Sequence, residues 1–208
     1  MKFAYRHVTK NGLHLLFVVA ALLLSACTSG PGSTGAAPTI NAKASPLAAK
    51  DQTAYASALT DLEKGDVKSA AAALVKIANA NPGYFDGWLN LAIAQYQLKD
   101  FTAAKRALAN AQQLQTTSAQ VNNLRALLST EEGKYKDAEQ LYLASLKLEP
   151  KDANTHYNLA LLYDIYYQDL PKAVSHYESY LSLSSQKDEE TEAWTAELKQ
   201  KMLDRNAQ

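Results

Sequence analysis

The sequence predicts an all-α protein, a short stack of helical hairpins closed by one further helix. Three observations carry this. Glycine and proline are scarce, at 8 and 6 of 208 residues, while alanine, leucine and tyrosine abound, and beyond about residue 50 helix formers dominate with little strand-like alternation. A fixed period runs through that region: Ala70, Ala104, Ala138 and Ala173 lie 34, 34 and 35 residues apart. Near the end, Thr191, Trp194, Leu198 and Met202 fall close to one face of a helix.

Residues 1–26 read as a secretory signal. Lys2, Arg6, His7 and Lys10 make a basic start with no acid, and Leu13 to Leu24 form an apolar run broken only by His14. That run is shorter than the roughly 20 apolar residues needed to cross about 30 Å of hydrocarbon. It ends in Leu24-Ser25-Ala26-Cys27, which closely resembles the lipobox of bacterial lipoproteins. The resemblance implies cleavage before Cys27 and acylation of its thiol and of the new amino terminus. Cys27 is the only cysteine, so no disulfide forms within the chain, and a lipid thioether accounts for a lone thiol in an oxidising compartment. Each buried methylene adds about 0.8 kcal/mol, so several acyl chains anchor firmly. Thr28 stands where an Asp favours inner-membrane retention in enteric bacteria, which points to the outer membrane. Residues 27–51 are expected to form a flexible tether, because small, polar and breaker residues there cannot offset their ordering entropy. About 23 such residues span roughly 25–30 Å on average.

Residues 52–186 hold the repeats, at about 52–84, 85–117, 118–152 and 153–186. Leu74, Leu108, Tyr142 and Tyr177 share the spacing of the alanines, as do Val67, Phe101, Tyr135 and Leu170, and Ala80, Leu114, Leu148 and Leu183. A turn precedes each of these helices: Gly65-Asp66, Lys99-Asp100, Gly133-Lys134 and Gln168-Asp169. The expected helices are 52–64, 67–80, 85–98, 101–114, 118–132, 135–148, 153–167, 170–183 and 188–205. Trp88, Leu91, Ala92, Tyr96, Ala104 and Leu108, with Leu159, Ala160, Tyr163, Ala173 and Tyr177, resemble the tetratricopeptide repeat (TPR) pattern. The resemblance implies an α-solenoid of about four TPR hairpins, each needing a small residue where its two helices cross. In the third repeat the strict period sets Arg125 where Leu91 and Leu159 stand, so a one-residue slip is expected there. The fourth repeat gains one residue near Tyr166-Tyr167-Gln168. Residues 187–208 are a capping helix and tail, with Trp194 over the last hairpin and charges arranged to suit the helix dipole.

Charge excludes some functions. The chain has 21 basic and 21 acidic residues, and without Lys2, Arg6 and Lys10 its net charge is −3, with no basic surface for nucleic acid. No phosphate loop, nucleophile elbow or metal-binding helix motif is present. Only His156 and His176 follow the signal, and both read as packing residues. No enzyme activity, metal, cofactor or small-molecule substrate is therefore expected.

What remains is a protein-binding surface. In TPR proteins the first helix of each hairpin lines a groove for peptides. Carrying that over assigns Tyr55, then Asp86, Leu89, Ile93 and Tyr96, then Asn123, then Tyr157, Leu161 and Asp164. Tyrosine suits such a surface through its large contact area and polar tip. The carboxylate clamp of cytosolic cochaperones is not expected. Asn90 and Asn158 match its asparagines, but its basic cluster is absent. The expectation is a lipid-anchored scaffold or adaptor on the periplasmic face of the outer membrane, binding other envelope proteins. A pilotin-like factor for type IV pilus secretins, a docking protein for cell-wall hydrolases, an adaptor of TonB-type complexes and a periplasmic holdase chaperone are the alternatives.

Overall fold

A computed structural model describes residues 47–206, which among themselves are helical with no strand. Cys27, the signal 1–26 and the tether up to residue 46 lie outside the described residues. Nine helices follow: α1 Ala49–Glu63, α2 Val67–Ala80, α3 Phe85–Gln97, α4 Phe101–Leu114, α5 Ala119–Glu131, α6 Tyr135–Leu148, α7 Ala153–Leu161, α8 Leu170–Leu183 and α9 Glu189–Asn206. A π-helical segment, Leu162–Tyr167, extends α7. Helix α1 begins at Ala49, inside the range expected of the tether. Leu47 is buried there, and its carbonyl accepts from Gln52 Nε2 at 2.7 Å.

Each hairpin closes on two small residues. Ala58, Ala92, Ala126 and Ala160 in the first helices, and Ala70, Ala104, Ala138 and Ala173 in the second, are all 0% exposed. A larger side chain at such a crossing would force the helices apart, typically at 1–3 kcal/mol. Leu74, Leu108, Tyr142 and Tyr177 are buried beside them and fill the hairpin interiors. The column Ala80, Leu114, Leu148 and Leu183 falls at the ends of the second helices and is not core, since Leu148 is 44% exposed and Ala80 is exposed.

Ala126 also overturns the expected slip. Helices α3, α5 and α7 begin at Phe85, Ala119 and Ala153, 34 residues apart, and the third repeat keeps strict register. The crossing alanine fixes the helix, and Arg125 is left pointing into solvent.

The turns repeat as faithfully. Gly65, Lys99, Gly133 and Gln168 all take positive φ, at 82°, 62°, 72° and 55°, and end the first helices in left-handed geometry. The N–H groups of Asp66, Asp100 and Lys134 then donate to carbonyls five residues back, at Asp61, Gln95 and Ser129. At the fourth turn the N–H of Asp169 reaches six residues back, to Tyr163 at 2.9 Å. The extra residue of this repeat is thus absorbed as a π-helical turn.

The first helices of successive hairpins are bonded to one another. Hydrogen bonds between residues 35 apart join them: Asn90 Nδ2 to Tyr55 Oη at 2.5 Å, Tyr96 Oη to Glu131 Oε1 at 2.9 Å, and Asn158 Nδ2 to Asn123 Oδ1 at 3.2 Å. Helix α9 closes the last hairpin, burying Thr191 and Leu198 fully and Trp194 and Met202 in part against the core of α7 and α8.

Candidate protein-binding surface

The nine residues assigned to the groove separate into three groups. Leu89, Ile93, Asn123 and Tyr157 are 1%, 2%, 0% and 4% exposed and offer no surface to a partner. This corrects the expectation for those four, and the reason is the spacing itself. Leu89, Asn123 and Tyr157 stand 34 residues apart, at one equivalent position of α3, α5 and α7 that the stack buries. Tyr157 sits against Tyr177 and Tyr180, with ring centroids 5.9 and 4.9 Å away. Asn123 donates to Thr155 Oγ1, which donates in turn to the Asp152 carboxylate, and Ser145 Oγ donates to the Ala119 carbonyl at 2.8 Å. Such a buried network is stable only because its members are satisfied.

Asp164 forms the second group. Its Oδ2 accepts from Trp194 Nε1 at 2.8 Å and from Tyr177 Oη at 3.4 Å, so it fastens the C-terminal helix.

Tyr55, Asp86, Tyr96 and Leu161 form the third group and keep part of their surface. Tyr55 meets Tyr84 edge-on at 5.3 Å, and Tyr84 lies beside Asp86. Burial raises the Asp86 carboxyl above its ordinary value, a hydrogen bond from Tyr84 opposing the shift. The Tyr55 phenol is raised far above its ordinary range, chiefly by burial and then by the charges of Tyr84 and Asp86. Tyr96 is raised likewise by burial and then by Glu131, which holds its hydroxyl, and its ring tilts against Phe101 at 5.6 Å. All these tyrosines are neutral at any physiological pH and offer hydroxyls and ring faces rather than charge. Tyr84 and Glu131 were not singled out in the sequence. Tyr84 lies just outside α3, at its N-cap, and Glu131 declares itself only through the 35-residue pairing with Tyr96.

His156 and His176, expected as packing residues, form a pair. Their Nδ1 atoms are 3.0 Å apart, and His156 Nε2 lies 3.1 Å from the Pro150 carbonyl oxygen. Among the described residues no three His, Cys, Asp or Glu side chains converge as metal ligands, and no helix is long and apolar enough to cross a membrane.

Residues 61–128 match the family model described as tetratricopeptide repeat. Cilia- and flagella-associated protein 70 of Homo sapiens is 33% identical over 91 residues, which is 44% of this chain and 8% of that protein. The Macaca fascicularis protein of the same name is 33% identical over 91 residues, 44% of this chain and 9% of its own length. The chain thus spans about a tenth or less of the curated relatives it matches. Among solved structures, Pseudomonas aeruginosa pilF aligns with a TM-score of 0.62 at 20% identity, covering 74% of this chain and 69% of that one. A thermophilic TPR protein of Thermus thermophilus, TTC0263, aligns at 0.61 and 23% identity, covering 71% and 80%. The first TPR of Spaghetti (RPAP3), solved bound to an HSP90 peptide, aligns at 0.50 and 21% identity, covering 59% and 94%. At these identities the structures show a shared fold. The family match itself covers residues 61–128.

Proposed function

We propose that this TPR chain is a lipid-anchored adaptor on the periplasmic face of the bacterial outer membrane, holding protein partners and positioning an envelope complex. A TPR fold suggests a protein–protein interaction scaffold. The observation that carries the binding role is the first-helix face, where Tyr55, Asp86, Tyr96 and Leu161, with Tyr84 just before α3, remain partly exposed along the stack of hairpins. Aromatic rings with polar tips flanked by a carboxylate suit recognition of a peptide segment. The membrane role rests on Leu24-Ser25-Ala26-Cys27 and the tether after it.

Two measurements test the reading. A photoreactive residue at position 96 and another at 161 are crosslinked in cells, and the adducts are identified by mass spectrometry. One dominant envelope adduct at both positions is the expected result. A secretin subunit there would make the chain a pilus assembly factor and a cell-wall hydrolase would make it a docking protein. A spread of many outer-membrane proteins would replace the adaptor with a holdase. Absence of any adduct from a well-expressed chain would overturn the first-helix face as the working surface. Separately, Cys27→Ala should release the protein from the membrane fraction. Retention there would overturn the lipid anchor.

A further inference from the structure

The start of α3 departs from the later repeats at three neighbouring positions. The residues before α5 and α7 are Ser118 and Asp152, whose side chains cap those helices by accepting from the N–H groups of Val121 and Asn154 at 3.3 Å. Tyr84, 34 residues before Ser118, makes no such bond. The second repeat thus gives up a cap that would stabilise its helix and places a tyrosine there. Gln120 and Asn154 are neutral where α3 has Asp86, and Val121 and Thr155 are β-branched where α3 has the buried Gly87. Glycine weakens a helix. Here a Cβ would lie 3.0 Å from Tyr84 Cδ1, so its absence lets the tyrosine ring settle on the first turn of α3. The lost cap and the glycine have one common result. They set the Tyr84 ring edge-on to Tyr55, at 5.3 Å, and beside Asp86.

Asp86 is a half-buried carboxylate without a cation. It makes no ion pair with any described residue. Burial is the main influence on it and disfavours its charge, and neither Asp86 nor Tyr84 feels a cation. No Lys or Arg lies between Lys76 and Lys99, and residues 115–124, which lead into α5, carry no charge. The one basic residue of α1, Lys50, is exposed at its start. A partly desolvated charge is costly unless it is paired, and tyrosine ring faces attract cations.

We propose that Asp86 and the tyrosines 55 and 84 form the part of the first-helix face that takes a Lys or Arg side chain from an exposed segment of a partner protein. This rests on the reading of that face as the partner-binding surface. The cation sits on the Asp86 carboxylate, and the stem of the side chain lies along the rings of Tyr55 and Tyr84.

The test pans a phage-displayed library of random dodecapeptides on the full-length chain in detergent. The enriched peptides should share a Lys or Arg at one fixed place in their common motif. Affinity should fall at least tenfold when that residue is changed to Gln, at least tenfold with Asp86→Asn and several-fold with Tyr84→Leu, and should hold with Arg125→Leu. The two tenfold losses should not multiply, because each removes the same contact, so the Gln peptide should bind the native and Asp86→Asn chains alike. Asp86→Asn gives α3 the residue that α7 has at Asn154, and its unfolding midpoint should match that of the native chain, so lost binding cannot come from misfolding. Enriched peptides that lack the basic residue and need Tyr96 or Leu161 would overturn this assignment and leave the adaptor reading standing. No enrichment, losses that multiply, or affinity unchanged by Asp86→Asn would each overturn it as well. So would a tenfold gain in affinity on Lys43→Ala, since the chain's own N-terminal region would then be the occupant.

Discussion

The indole N–H of Trp194 donates to Asp164 Oδ2 across 2.8 Å and ties the C-terminal helix to the π-helical end of α7. The extra residue of the fourth repeat and the cap that ends the stack therefore meet in one hydrogen bond. Trp194 also covers the apolar side of the last hairpin. Trp194→Phe should keep most of the packing and lose the bond, destabilising by about 1–2 kcal/mol. Trp194→Ala should cost more, about 2–3 kcal/mol, below the range for a fully buried tryptophan because this one is only partly buried. Urea unfolding of both variants measures the difference. Equal midpoints for the two would mean that packing on α8 contributes little.

Lys99 and Gln168 adopt the left-handed turn that Gly65 and Gly133 adopt at the equivalent places. That conformation costs a residue with a Cβ roughly 1–2 kcal/mol. Lys99→Gly and Gln168→Gly should each raise stability, by about 0.5–1 kcal/mol after the extra chain entropy of glycine is subtracted. Gly133→Ala should lower it. Thermal unfolding midpoints of the three variants check the signs, and a loss of stability in both glycine variants would show that the side chains do more than tolerate the turn.

Asn123 is fully buried and joins α5 to α7 through Thr155 and Asn158. Asn123→Ala should destabilise by about 1–3 kcal/mol, the cost of leaving buried polar partners unmatched. The same substitution at Asp86, which keeps part of its surface, should change stability by less than about 0.5 kcal/mol. Chemical denaturation of the two variants separates a residue that holds repeats together from one that keeps part of its surface for a partner.

His176 predicts a dependence on pH. Burial, then His156 and Lys172, lower its pKa from 6.5 to about 4. The Tyr163 ring stacks on it at 5.7 Å, and Glu139 of α6 holds the Tyr163 hydroxyl at 2.6 Å. Because the folded pKa is depressed, the unfolded chain takes up the proton first. The contribution of neutral His176 is present above about pH 6.5 and is lost as pH falls toward 4. Unfolding midpoints between pH 7.5 and 4.5 should fall more steeply for the native chain than for His176→Gln. Parallel curves would show that protonation of this pair does not matter to the fold.

The 34-residue period determined much of this protein by itself. All four second helices occupy the ranges it predicts, 67–80, 101–114, 135–148 and 170–183, the turn residues fall where expected, and the added residue marks the π-helical turn. These features are local. A hairpin repeats its crossing alanines and left-handed turn because each is set by neighbours within a few residues or within its own pair of helices. What only the tertiary structure decided is which side of each first helix remains open. Tyr55, Leu89, Asn123 and Tyr157 occupy equivalent positions, yet Tyr55 keeps some surface while the other three are sealed. The first helices of successive repeats approach closely enough to bond across 35 residues. The expected slip in the third repeat failed for the same reason. Arg125 looks misplaced when a single helix is read for its apolar face, but burial around that helix is set by the repeats on both sides. The crossing at Ala126 is what the neighbouring helix α6 holds fixed, and Arg125 beside it is left exposed.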